Sequence, residues 1–163
     1  MPKFNVQDYG QSQSVEIYYS VSGHGPHKLL FISGLGGIAH QWDLQVQFFS
    51  SLPEFSVCIY DNRGSGFSDC PKGPYTTRML AEDAVSLLLH LGWDNVHIIG
   101  LSMGGMVAQE LACKLGDRVM SLALISTYSK FNGLPAFDNL GFSSPFKLVC
   151  LLSFYSSPSS LVW

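Results

Sequence analysis

From Val15 to Ile125, short apolar blocks alternate with longer stretches whose apolar residues return every three or four positions. Unbroken or alternating apolar runs of five or six residues fit strands, and the three-and-four spacing fits one face of a helix. Strands are accordingly predicted at Val15–Tyr19, Lys28–Ile32, Phe55–Tyr60, Val96–Leu101 and Val119–Ile125, with a less distinct one near Phe4. Helices are predicted over Trp42–Leu52, with apolar residues at 44, 48, 49 and 52, and over Thr77–Leu91, with a stripe at 80, 84, 87, 88 and 91. A third runs from Met103 to Leu115, with its stripe at 107, 108, 111, 112 and 115. Thr76 or Thr77 can cap the second helix, and Gly92 and Gly116 can end the second and third.

Strand blocks apolar throughout are expected where helices cover both faces of a parallel sheet. The pattern predicts an α/β fold with a mostly parallel sheet of about six strands and a site at the strands' carboxyl ends. Three Gly-rich segments, Ser33–Gly37, Asp61–Gly66 and Gly100–Gly104, each follow a predicted strand and would share that rim. From about Ser129 the periodicity fades. One apolar block, Phe146 to Tyr155, lies between Pro145 and Pro158 and reads equally as helix or strand. The chain is therefore divided into a core part, residues 1–128, and a divergent tail, 129–163.

The chemistry concentrates at Gly100-Leu101-Ser102-Met103-Gly104. A serine between glycines, with a strand before it and a helix after it, sits on a sharp turn that lifts its hydroxyl above the sheet rim. Ser102 is the candidate catalytic nucleophile. The following helix directs its positive dipole end and free N–H groups at a developing oxyanion. Acyl transfer calls for two such donors. The backbone N–H of Met103 is one candidate, and the N–H of Leu35, in Ser33-Gly34-Leu35-Gly36-Gly37, is the other. Asp61 to Gly66 reads as architectural, with Arg63 pairing with Asp61 or nearby carbonyls. Asp83 reads as a helix residue facing solvent or a neighbour.

Net charge is −3, from 9 Lys+Arg and 12 Asp+Glu, without basic clusters, which argues against a nucleic-acid partner. Charged residues make up 13%, a low share that leaves little polar surface. Cys58, Cys70, Cys113 and Cys150 have neither metal-ligand nor disulfide-framework spacing, and the three in apolar runs read as core residues. No signal-peptide stretch or membrane-length apolar run is evident, so the expected location is cytoplasmic. No cofactor or metal is implied.

The turn Gly34–Gly37, the Asp61-x-Arg63-Gly64-x-Gly66-x-Ser68 loop, the run Thr77 to Trp93 and Gly100 to Ala112 together resemble the α/β-hydrolase superfamily, in its branch of small esterases, enol-lactonases and peroxidase-like hydrolases. The resemblance spans about residues 13–128. It implies hydrolysis of a small ester or lactone through an acyl-Ser102 intermediate. A serine at 102 argues against the epoxide hydrolases and haloalkane dehalogenases of this fold. Ser33 stands where many relatives carry histidine, a change expected to alter the loop's hydrogen bonding. Substrate-binding residues stay unassigned, because the resemblance places specificity in a cap after Val119–Ile125 that is unrecognisable in this chain.

The resemblance also implies an acid and then a histidine after the nucleophile. The five histidines, His24, His27, His40, His90 and His97, all precede Ser102. Only His40, after the candidate oxyanion loop, is placed near the rim. The family implies eight strands against the six counted, so an incomplete, C-terminally truncated α/β-hydrolase fold is expected. Its last strand would be an open edge available for association. Three readings stand open: the front part of a serine hydrolase with an incomplete triad, a non-catalytic ligand-binding or regulatory relative, and a site completed by His40 or by a partner chain.

Overall fold

The computed structural model describes residues 2–7, 14–127 and 147–151. A seven-stranded mixed sheet comprises β1 (Lys3–Gln7), β2 (Ser14–Ser22), β3 (His27–Ile32), β4 (Phe55–Tyr60), β5 (Val96–Leu101), β6 (Val119–Ile125) and β7 (Lys147–Leu151), in the order β1-β2-β4-β3-β5-β6-β7. The pairs β1/β2 and β2/β4 are antiparallel, and every pair from β4 to β7 is parallel. The sheet is the six expected strands plus β7. The block after Pro145, open between helix and strand, is a strand over 147–151. It pairs with β6 from Ser121↔Lys147 to Ile125↔Leu151, so the expected open edge lies at β7 rather than β6 among the described residues.

Alternation along the strands sorts side chains between two cores. Leu30, Ile32, Cys58, Tyr60, Ile98, Leu122 and Leu124 point to one face, under α2 (Thr77–His90) and α3 (Met103–Leu115). Leu29, Phe31, Val57 and Ile59 point to the other, with Trp42 and helix α1 (Asp43–Ser50). The stripes of α2 and α3 face inward as their spacing requires, with Leu80, Ala84, Leu87 and Leu88 buried on α2 and all five predicted positions buried on α3. Thr76 Oγ1 accepts from the Met79 N–H at 3.1 Å, the predicted cap, and Gly92 follows α2 at φ +65°.

Two expectations are corrected. Helix α1 is shorter than predicted, starting after a 3-10 turn at Ala39–Trp42; of its predicted apolar positions Phe49 packs on the sheet, joined by Val46, while Leu44 and Phe48 do not. Leu44 and Phe48 are 76% and 62% exposed, because the i, i+4 pair lies on the opposite side of the helix from Val46 and Phe49. Of the cysteines read as core, Cys58 is buried but Cys113 is exposed; the Cys150 side chain lies outside the described residues. Of the two settings read for Asp83, solvent or a neighbour, the second holds, and the residue is buried. The tail segments 128–146 and 152–163 lie outside the described residues.

Candidate active site

The order β4-β3-β5 brings the three Gly-rich segments together, because these parallel strands all end at the same rim. Ser102 closes β5 and precedes α3 with φ 53° and ψ −120°, a left-handed backbone unusual for a residue with a side chain. Its N–H donates to the Ile125 carbonyl at 2.9 Å, extending the β5/β6 ladder by one bond past the strand. Its carbonyl accepts from the Gly105 N–H at 2.9 Å and from Thr127 Oγ1 at 2.7 Å. The turn is thus tied from both sides, which is what holding such a conformation requires.

The flanking glycines answer to close packing. A Cβ on Gly100 would stand 2.4 Å from the Gly104 carbonyl oxygen, and one on Gly104 would stand 2.2 Å from that of Ile32. A Cβ on Gly105 would strike the Thr127 side chain at 2.5 Å. Thr127 is a neighbour of the Ser102 turn that sequence reasoning missed. The only trace of it was an additional glycine in a helix that needs just one for the turn.

Gly34 lies directly beside the serine. A Cβ there would be 3.3 Å from Ser102 Cβ and 3.2 Å from the Leu101 carbonyl oxygen. The Gly37 N–H donates to the Gly34 carbonyl at 3.1 Å, and Gly36 has φ +69°, so residues 34–37 form a tight turn with Leu35 at its corner. The Leu35 side chain is 85% exposed. Among the described residues, neither the Leu35 N–H nor the Met103 N–H donates a hydrogen bond. Leu35 follows Gly34 and Met103 follows Ser102 in the chain, and Ser102 itself is exposed.

Ser33 is fully buried and carries a local network. Its hydroxyl donates to the Ile38 carbonyl at 3.3 Å and accepts from Trp42 Nε1 at 3.1 Å, and its carbonyl accepts from Asn62 Nδ2 at 3.2 Å. Asp61 is buried as well. Oδ1 accepts from the Ala39 N–H at 2.6 Å and Oδ2 from the Phe67 N–H at 2.8 Å. Together with burial, which acts first, the Asp61 and Asp43 carboxylates raise the pKa of the neighbouring Tyr18.

Arg63 pairs with Asp83, not with Asp61. Its Nε and Nη2 donate to the two oxygens of the Asp83 carboxylate at 2.7 and 2.6 Å, and its Nη1 meets Met79 Sδ at 3.2 Å. The side chains are 1% and 2% exposed. Spacing could not reveal this pair, because its members lie on a loop and a helix that only the tertiary fold brings together. Asp83 thus joins α2 to the rim loop from inside the protein.

No histidine nitrogen bonds Ser102 Oγ among the described residues. His40 is exposed and its Nδ1 lies 3.2 Å from Asp43 Oδ1 in its own turn. His90 stacks on Phe4 and shares a hydrogen bond with the Tyr19 hydroxyl at 3.0 Å. His97 sits early in β5 against His27, with Nδ1 2.7 Å from Ser121 Oγ. Burial, and secondarily His27, lowers its pKa.

A family model for the alpha/beta hydrolase fold matches residues 28–148, past the point where the sequence pattern changes. The 3-oxoadipate enol-lactonase 2 of Acinetobacter baylyi is 32% identical over 139 residues, covering 85% of this chain and 51% of that protein. Among solved structures, a thermophilic esterase from Thermogutta terrifontis superposes with TM-score 0.73 at 28% identity, covering 80% of this chain and 47% of the other. The enol-lactonase from Burkholderia xenovorans LB400 gives TM-score 0.67 at 34% identity, covering 71% and 45%. The chain spans about half the length of these relatives.

Proposed function

The chain belongs to the α/β-hydrolase fold family, and from that membership we propose that it carries the nucleophile and oxyanion hole of a serine hydrolase acting on small esters or lactones. Ser102 Oγ attacks the substrate carbonyl carbon. The Leu35 and Met103 N–H groups receive the negative charge that forms on the carbonyl oxygen. The acyl C–O bond then breaks and the alkoxide takes a proton from solvent, leaving as alcohol from an ester or staying tethered to the acyl group from a lactone, and water later releases the acyl group from Ser102. The observation that supports this reading is the close approach of Gly34 to Ser102, where a Cβ on Gly34 would stand 3.3 Å from Ser102 Cβ, beside the positive-φ turn at Ser102. The esterase and enol-lactonase relatives support the substrate class.

In this 163-residue chain no histidine follows Ser102, and His40 is turned to Asp43. Within these 163 residues taken alone, the proton of Ser102 passes to water or buffer. An oxyanion hole and binding alone leave roughly 10³–10⁴-fold catalysis over water when the rest of a triad is absent. The division into a core, residues 1–128, and a tail, 129–163, belongs to the same reading, as does a cytoplasmic location. Ile99, Leu101 and Ile125 are only partly buried on the α1 face, which suits association there or along the β7 edge.

A second reading is a ligand-binding or regulatory role, favoured by the lack of a histidine partner for Ser102 among the described residues. One experiment separates the two. The purified chain is incubated with p-nitrophenyl acetate and its intact mass is followed. Acetyl addition at Ser102, absent from Ser102→Ala, supports the hydrolase reading. No adduct at Ser102, with the protein folded, favours the binding role. Turnover at the rate of a full esterase that is lost in His40→Ala would overturn the account of His40.

A further inference from the structure

The loop that offers the Leu35 N–H is held at both ends by two consecutive residues. Asn62 Nδ2 donates to the Ser33 carbonyl where the loop begins, and Asp61 Oδ1 accepts from the Ala39 N–H where it ends. Resting on the proposed function, we propose that Asp61 and Asn62 form a clamp on this loop, and that Asn62 is a positioning residue that aims the Leu35 N–H at the oxyanion.

The clamp is rigid because its own loop is held at many points. The Asp61 N–H donates to the Tyr18 carbonyl at 3.0 Å, and the Asp61 carbonyl accepts from Ser68 Oγ at 2.7 Å. The Ser65 N–H donates to the Asn62 carbonyl at 3.0 Å, and the next residue, Arg63, is fixed by Asp83. Asn62 is 2% exposed, and its Nδ2 reaches across to the Ser33 carbonyl from this fixed base.

The Ser33 carbonyl belongs to the peptide that leads into Gly34. On its other side it is confined by α3, since a Cβ on Gly104 would stand 2.6 Å from that oxygen. Held between the Asn62 amide and the α3 backbone, this peptide plane cannot rotate freely. The next N–H along the chain after Gly34 is that of Leu35, so its direction depends on the plane. Gly34 has no Cβ to fix its own dihedrals, which leaves the clamp to do so. Oxyanion donors act through preset direction, and loss of one donor lowers rate by about 10²–10³.

Two variants test the clamp. Asn62→Asp keeps the shape and replaces the donating amide by a carboxylate that repels the Ser33 carbonyl. When protonated, the same carboxyl donates again, and burial favours the protonated form. Asn62→Ala removes the donor at every pH. Three quantities are followed at pH 8 and pH 5: the rate of Ser102 acetylation by p-nitrophenyl acetate relative to the unaltered chain, the amide resonances of Gly34 and Leu35, and the urea midpoint.

The expected result is a relative rate at least tenfold lower for both variants at pH 8, with shifted Gly34 and Leu35 amides. At pH 5, Asn62→Asp recovers toward the unaltered rate and Asn62→Ala does not. A role in stability alone would move the urea midpoint and leave the relative rate of the folded protein within twofold, and that result overturns the proposal. If Asn62→Asp does not fold, Asn62→Ala alone decides by the same rate and resonance criteria. If the unaltered chain is never acetylated at Ser102, the proposed function fails on its own. The clamp is then judged by the amide resonances, and unshifted Gly34 and Leu35 amides in Asn62→Ala would sink it.

Discussion

Replacing Asp83 by alanine should be among the most damaging single changes in the chain. The substitution removes a carboxylate that accepts two hydrogen bonds from Arg63 at 2.7 and 2.6 Å. Both side chains are almost wholly out of solvent. What remains is a guanidinium that cannot lose its charge and has lost its carboxylate. Breaking a buried pair from one side costs about 3–5 kcal/mol, whereas the intact pair adds little over an apolar replacement. Domains of this kind have about 5–15 kcal/mol of total stability, so the loss is a large share. With a urea slope of about 2 kcal/mol per molar, within the usual range, the midpoint should fall by roughly 1.5–2.5 M. The assay is urea unfolding followed by circular dichroism and tryptophan fluorescence. The double variant Arg63→Met/Asp83→Leu should recover most of the loss, because it removes both charges. A fall below about 0.5 M in Asp83→Ala, or a double variant as weak as the single one, would refute the view that breaking the buried pair from one side causes the damage.

Two further outcomes follow from the site and the sheet. Ser102→Gly should raise stability by about 1 kcal/mol while abolishing acetylation, because relief of left-handed strain of about 1–3 kcal/mol exceeds the entropic cost of glycine; an unchanged or lower urea midpoint would count against strain at the turn. His97 has a folded-state pKa lowered by burial and by His27. The unfolded chain therefore binds the proton first as pH falls, and stability is lost as pH drops through about 6.5 toward the lower folded value. The drop in urea midpoint between pH 7.5 and pH 5.5 should be smaller in His97→Gln than in the unaltered chain, and an equal drop would remove His97 as its source.

Much of the architecture could be read from local pattern alone. Strand and helix periods are set by backbone geometry and need no knowledge of what packs where, so β4, β5, β6 and α3 fall where their apolar positions put them. The strand–turn–helix at Ser102 was legible for the same reason, since Gly100 and Gly104 are demanded by contacts within one continuous segment and its neighbouring strand. The inward face of α1 was legible only at Phe49, because two apolar stripes compete on that helix and the sheet beneath selects Val46 and Phe49 over Leu44 and Phe48.

The sequence by itself therefore determined the kind of fold, the rim where the candidate site lies and the candidate nucleophile with its two candidate donors. Tertiary structure decided which distant groups meet. It joined Arg63 to Asp83 rather than Asp61, placed Thr127 behind the turn, and set Asn62 on the Ser33 carbonyl. It also covered β6 with β7. The physical reason is one of range. Periodicity and turn chemistry act over a few residues, whereas hydrogen-bond partners and ion pairs are chosen by strands and helices far apart in sequence that share only a common core.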